Sequence, residues 1–111
     1  MRGRRKEDRN LCADLLEIGW KDALGNDCNE LAGLEDISRT GLSLGTENAI
    51  PVGTRLTVRY PNGKFVGKIV YCHHDELGYV IGLKFDPGYS WSRRQYRPSH
   101  LLQFRLRAIR K

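Results

Sequence analysis

The sequence predicts an all-β domain, a six-stranded antiparallel barrel, and three observations carry that expectation. Apolar and polar residues alternate with period two through most of the second half, the pattern of half-buried strands. The 12 glycines and 4 prolines fall largely as single residues between short apolar runs, spaced about as an all-β domain requires. The chain has 111 residues, 40% of them apolar, enough for one modest core and too few for two domains. Six short strands at ~8–12-residue intervals suggest closure, which removes the exposed edges of an open sheet.

The elements follow in chain order. Residues 1–10 hold almost nothing to bury and are expected to be a flexible basic arm. Leu11 to Lys21 fits an amphipathic helix on periodicity alone. A strand is favoured, because Leu16, Ile18 and Trp20 alternate with Leu15, Glu17 and Gly19 and the turn-like Leu24-Gly25-Asn26-Asp27 follows. Leu31 to Ile37 is the expected return, and Leu42 and Leu44 mark a further strand after a turn at Ser38 to Gly41. Leu56, Val58 and Tyr60 alternate with Arg55, Thr57 and Arg59 before Pro61-Asn62-Gly63, where Asn-Gly signals a hairpin with φ > 0 at its centre. The returning strand, Lys64 to Cys72, is expected to set Phe65, Ile69 and Tyr71 on one face. Tyr79, Ile81, Leu83 and Phe85 then alternate with Val80, Gly82 and Lys84, and Asp86-Pro87-Gly88 ends that strand. The barrel is thus expected over 11–90 and a basic extension over 91–111. In the extension Pro98 starts a helix with Leu102, Leu106 and Ile109 on one stripe, although Phe104 to Ala108 also alternates like a strand. Tyr89 and Trp91 are expected to pack under the barrel end or the tail, with base stacking the lesser alternative.

Composition excludes several function classes. No run approaches the ~18–20 apolar residues of a membrane helix. Asp14 and Glu17 interrupt any signal-peptide core, so a cytoplasmic protein without membrane insertion is expected. The three cysteines, Cys12, Cys28 and Cys72, are odd in number and far apart, which argues against a disulfide framework. Cys72-His73-His74 are neighbours on a strand and point to alternate faces, so they are not expected to share a metal. No nucleophile–base context or phosphate-binding loop is present, and the chain is not expected to be an enzyme.

Charge points to an anionic partner. The net charge is +6, with five basic and two acidic residues over 1–10, two basic and eight acidic over 11–50, and twelve basic and three acidic over 51–111. Two positive ends flank an acidic middle, an asymmetry that suits a nucleotide, a nucleic acid or an acidic protein face.

Two motifs narrow the choice. Arg5-Lys6-Glu7-Asp8-Arg9 is an RxxxR preceded by Arg4, and Asp36-Ile37-Ser38-Arg39-Thr40-Gly41 is a DxSxxG, with 26 residues between Arg9 and Asp36. In this order, upstream of this β pattern, they resemble the PilZ family of cyclic di-GMP receptors across nearly the whole chain. The resemblance implies ligand-binding roles for Arg5, Arg9, Asp36, Ser38 and Gly41, cyclic di-GMP as ligand, no cofactor, and signalling to a partner protein; Arg4, just before the motif, is a further candidate ligand residue. The chemistry agrees. Guanidinium groups fork onto phosphates, bond guanine O6 and N7, and stack on bases. A carboxylate at Asp36 accepts from the guanine N1–H and exocyclic amine together, a donor pair adenine lacks. Ser38 adds a hydroxyl, and Gly41 allows φ > 0 or a close ligand approach. The expected switch is ordering of the arm over the ligand.

Two rival readings remain at this level. Glu7 and Asp8 dilute the arm's charge, as in a PilZ-like adaptor that binds no nucleotide and works through a protein partner. The basic ends suit a small nucleic-acid-binding barrel, whose affinity falls steeply with salt; the two motifs argue against nucleic acid.

Overall fold

A computed structural model of the chain describes residues 10–11, 14–98 and 102–103. Eight strands account for its regular structure: β1 (Asn10–Leu11), β2 (Leu15–Lys21), β3 (Asp27–Ser38), β4 (Gly41–Thr46), β5 (Arg55–Tyr60), β6 (Gly63–Asp75), β7 (Gly78–Phe85) and β8 (Leu102–Gln103). Neighbours run in the order β2-β5-β6-β7-β4-β3, and β3 pairs back onto β2. The six therefore close into an antiparallel barrel, as the alternation predicted, with β5, β6 and β7 as the expected meander.

The inward set forms one core. Ile18, Leu34, Ile37, Leu44, Leu56, Val58, Phe65, Ile69 and Ile81 are all buried, and Ile50, in the β4–β5 connection, joins them. Burying a side chain of this kind contributes about 1.5–3 kcal/mol. The segment after β7 packs onto the same core. Phe65 stacks on Phe85 with centroids 4.7 Å apart, and Tyr96 stacks on Tyr60 at 4.9 Å. Trp91 is buried, its indole N–H donates to the Tyr96 carbonyl at 2.7 Å, and Tyr89, partly buried, packs against the core. The Tyr96 hydroxyl donates to Asp14 Oδ2 at 2.8 Å, while the Leu34 amide donates to the Asp14 carbonyl at 2.7 Å.

Four details depart from the sequence reading. β3 starts at Asp27 rather than Leu31, because the Asp22 carboxylate accepts the Leu24 and Asn26 amides, each at 2.9 Å, and Gly25 has φ 86°. That compact turn lets pairing run out to Lys21 opposite Asp27. The Asn-Gly hairpin forms, yet no positive φ occurs at Asn62 or Gly63. Gly63 already pairs with Tyr60, leaving Pro61 and Asn62 as the loop, and a proline at its first position holds φ near −65°.

The third departure is at the end of the chain. Leu102 and Gln103, expected in a helix, form strand β8 opposite Leu11 and Asn10. An extended pair satisfies the backbone groups that β1 presents on its free edge, which a helix cannot do. Leu106 and Ile109 lie outside the described residues, as do residues 1–9 of the expected arm; Asn10, assigned to the arm, is already strand. The fourth departure is that Tyr71 does not share a face with Phe65 and Ile69, as the site geometry makes plain.

Candidate functional site

Strand register assembles the site on the outer face of the barrel. β-Bulges interrupt the ladders at two places, between Leu34 and Asp36 in β3 and between Ile69 and Tyr71 in β6. A bulge adds one residue to a strand and so shifts which side chains face out. In β3, strict alternation would put Asp36 on the same inward face as Leu34. With Glu35 as the extra residue, Leu34 stays opposite Leu44 in the core and Asp36 turns outward opposite Ser43. In β6, Val70 plays the same part: Ile69 stays inward opposite Leu83, and Tyr71 turns outward opposite Gly82. This corrects the expectation that Tyr71 lies with Phe65 and Ile69.

Two parallel rows result. Asp36, Ser43, Gly82 and Tyr71 stand side by side on β3, β4, β7 and β6. Ser38, Gly41, Lys84, Lys68 and Arg55 form the next row, which runs on to β5. The first row is well covered although it faces out, with Asp36 at 9% and Ser43 at 4% exposure. Its glycine explains part of this cover. A Cβ at Gly82 would run into the Tyr71 ring, so the ring lies against the bare backbone of β7. Tyr71 in turn stacks on His73 at 5.0 Å.

The DxSxxG residues occupy the β3–β4 turn and its approaches. Ser38 is half-buried and its hydroxyl donates to the Gly41 carbonyl at 3.3 Å, closing the turn. Gly41 does not have the positive φ that its turn position suggested. Its constraint is lateral instead: a Cβ there would strike the Leu83 carbonyl of β7. Gly41 thus allows β4 and β7 to approach closely beside Ser38.

The N-terminal motif enters through β1. Asn10 pairs with Ile37 and Leu11 with Asp36, on the edge of β3 that β2 has left by Gly33. Arg9 is therefore one residue along the chain from the ladder that holds Asp36. Arg4, Arg5 and Arg9 lie outside the described residues.

The electrostatics of the two rows differ. Burial pushes the Glu35 carboxyl above its ordinary range, and the nearby charges of Asp75 and Asp36 push it further. The first row is thus negative around Asp36. The second carries three cations. Arg55 pairs with Asp86 at 2.5 Å, while Lys68 and Lys84 are exposed and make no ion pair among the described residues.

Of the residues singled out from sequence, Asp36, Ser38 and Gly41 come together at one turn. Ser43, Tyr71, Gly82 and Lys84 were missed, because only register brings them beside the motif. Cys72 and His74 face the barrel side and His73 the outside, as alternation required. Among the described residues no group of three or more His, Cys, Asp or Glu is placed to hold a metal. None has a helix long and apolar enough to cross a membrane. An open groove elsewhere, lined by Trp20, Lys21, Asp27, Arg55 and Arg59 among others, includes none of the motif residues. Two of its cations are paired, Lys21 with Asp27 and Arg55 with Asp86.

Comparison with known proteins agrees with this fold. The profile of the PilZ domain family matches residues 4–106. Among solved structures, the fold is similar to the PilZ domain with c-di-GMP of YcgR from Escherichia coli. That likeness has a TM-score of 0.58 at 16% identity and covers 77% of this chain and 79% of that one. No curated protein matches the chain.

Proposed function

The chain belongs to the PilZ domain family, and from that premise we propose that it is a cyclic di-GMP receptor, not an enzyme, that signals through its N-terminal arm. The observation that carries this reading is the pairing of β1 with the DxSxxG strand. Leu11 sits opposite Asp36, so the RxxxR segment joins the barrel beside the residues whose chemistry suits a guanine edge. Two sequence motifs separated by 26 residues thereby become neighbours. The bound ligand in the E. coli relative supports the same assignment.

In this reading Asp36 accepts from guanine N1–H and its exocyclic amine, and Ser38 completes the polar contact. Arg5 and Arg9, with Arg4 before them, fold over the ligand and hold its phosphates and bases through charge-assisted bonds. The negative ground around Asp36, Glu35 and Asp75 favours the approach of such an arginine arm. Ordering the arm costs about 1–2 kcal/mol per residue in backbone entropy, so its closed state depends on the ligand. A closed arm presents a new surface to a downstream protein.

Calorimetric titration of the purified protein with cyclic di-GMP tests the reading. Saturable binding at micromolar or tighter affinity is expected, and Arg5→Ala or Arg9→Ala should weaken it by about 10-fold or more. Absence of saturable binding by the wild-type protein would refute the receptor reading and leave the adaptor. Unchanged binding by both variants would refute the arginine assignment.

A further inference from the structure

The row that begins at Ser38 and Gly41 continues into Lys84 and Lys68. Directly opposed like charges on neighbouring strands are destabilising. Here Arg55, Lys68 and Lys84 stand in line on three adjacent strands. Among the described residues only the outer member, Arg55, has an acid partner, Asp86. Lys84, next to Gly41, and Lys68, beside Lys84, are exposed and make no ion pair among the described residues. No side chain of β4 separates Lys84 from Ser38, because the residue between them in the row is Gly41.

We propose that Lys84, with Lys68 beside it, forms a phosphate-binding subsite that extends the Ser38–Gly41 turn across β7 and β6. The proposal rests on the cyclic di-GMP reading and gives the ligand a direction. The negative end, around Asp36, takes the guanine donors. The positive end, at Lys84 and Lys68, takes the phosphates. Strands ~4.8 Å apart with ~3.3 Å per residue put the Asp36 and Lys84 backbones about 12 Å apart, a nucleotide's length from base edge to phosphate. Between them lie the small residues Ser43, Gly41 and Gly82, of which Gly82 is covered by the Tyr71 ring, so the open approach to Lys84 runs over Gly41.

The test uses the full chain and four variants: Lys84→Ala, Lys84→Arg, Lys68→Ala and, as a control, Lys64→Ala. Lys64 is exposed on β6 too, but pairs opposite Arg59, outside the row. All three positions are at the surface, so the fold survives each change. Each protein is titrated with cyclic di-GMP and with cyclic di-AMP at low and high salt.

Lys84→Ala should weaken both ligands by about 10-fold and flatten the salt dependence, because the phosphates are common to both and the interaction is screened. It should leave the guanine-to-adenine affinity ratio unchanged. Lys68→Ala should act in the same direction by less, and Lys84→Arg should retain binding. If Lys84→Ala binds like Lys64→Ala while the wild-type protein binds cyclic di-GMP, the subsite is refuted and the receptor reading stands. If Lys84→Ala alters the base preference, the assigned direction is refuted. If the wild-type protein does not bind, both readings fall together.

Discussion

Replacing Gly41 by alanine separates what this glycine does for the fold from what it does for a ligand. A Cβ at position 41 would sit 3.4 Å from the Leu83 carbonyl carbon and 3.5 Å from the Lys84 Cα, and closer still to the Leu83 oxygen. All three are backbone atoms of β7, so no side chain can rotate away. The β4–β7 ladder must open over the pairs Gly41–Lys84 and Leu42–Leu83. Forcing a methyl into a packed site typically costs about 1–3 kcal/mol, and backbone that cannot yield places this case at the upper end. For a domain of this size each kcal/mol lowers Tm by about 4–8 °C, so Gly41→Ala should melt at least 10 °C below the wild type. Thermal unfolding followed by far-UV circular dichroism, without nucleotide, measures it. Gly33→Ala is the control, because a Cβ there meets nothing within 4 Å. A Gly41→Ala protein melting within a degree or two of wild type would refute the close-approach argument and return Gly41 to a role at the ligand alone.

Asp36→Ala should reduce the preference for cyclic di-GMP over cyclic di-AMP, measured as a ratio of calorimetric affinities; an unchanged ratio removes Asp36 from base readout. Amides of residues 4–10 should exchange more slowly with solvent once cyclic di-GMP is added, and equal exchange in both states would place the switch elsewhere. Glu35 has a folded-state pKa raised by burial and by Asp75 and Asp36, so the folded protein binds its proton more readily than the unfolded chain. That contribution is present below the ordinary carboxylate range and is lost as pH rises through the raised value. Glu35→Gln should therefore raise Tm at neutral pH, with the gain shrinking as the pH falls through the carboxylate range. A gain independent of pH would contradict the electrostatic explanation.

The barrel was legible in the sequence where side chains alternate without interruption. Leu56–Val58, Ile81–Leu83–Phe85 and Leu42–Leu44 announce their strands because one face is dry and the other wet. Asp36, Ser38 and Gly41 were legible because a short motif stays together when it folds. Tyr71 was not, since nothing in the string Lys-Ile-Val-Tyr-Cys marks Val70 as an extra residue; the bulge is decided by how β6 meets β7. Lys84 was invisible for a related reason. It is 43 positions from Gly41 in the chain and opposite it in the sheet. At the far end, Leu102 and Gln103 sit where two periodicities overlap, and pairing with Asn10–Leu11 selects the extended one.

The two bulges carry a consequence for how such chains tolerate changes in length. Losing a residue from a strand normally inverts the facing of everything beyond it. At Glu35 the arithmetic runs the other way. Remove it, and Leu34 still faces in, Asp36 still faces out and Ile37 still faces in, now as an unbroken ladder. Val70 stands in the same relation to Ile69 and Tyr71. A one-residue gap at either position therefore leaves the outer face in phase with the core and keeps Asp36 and Tyr71 on it, whereas a gap at Asp36 or Tyr71 would keep the phase and lose the side chain itself. At these two points β3 and β6 can change length without exchanging their inside for their outside.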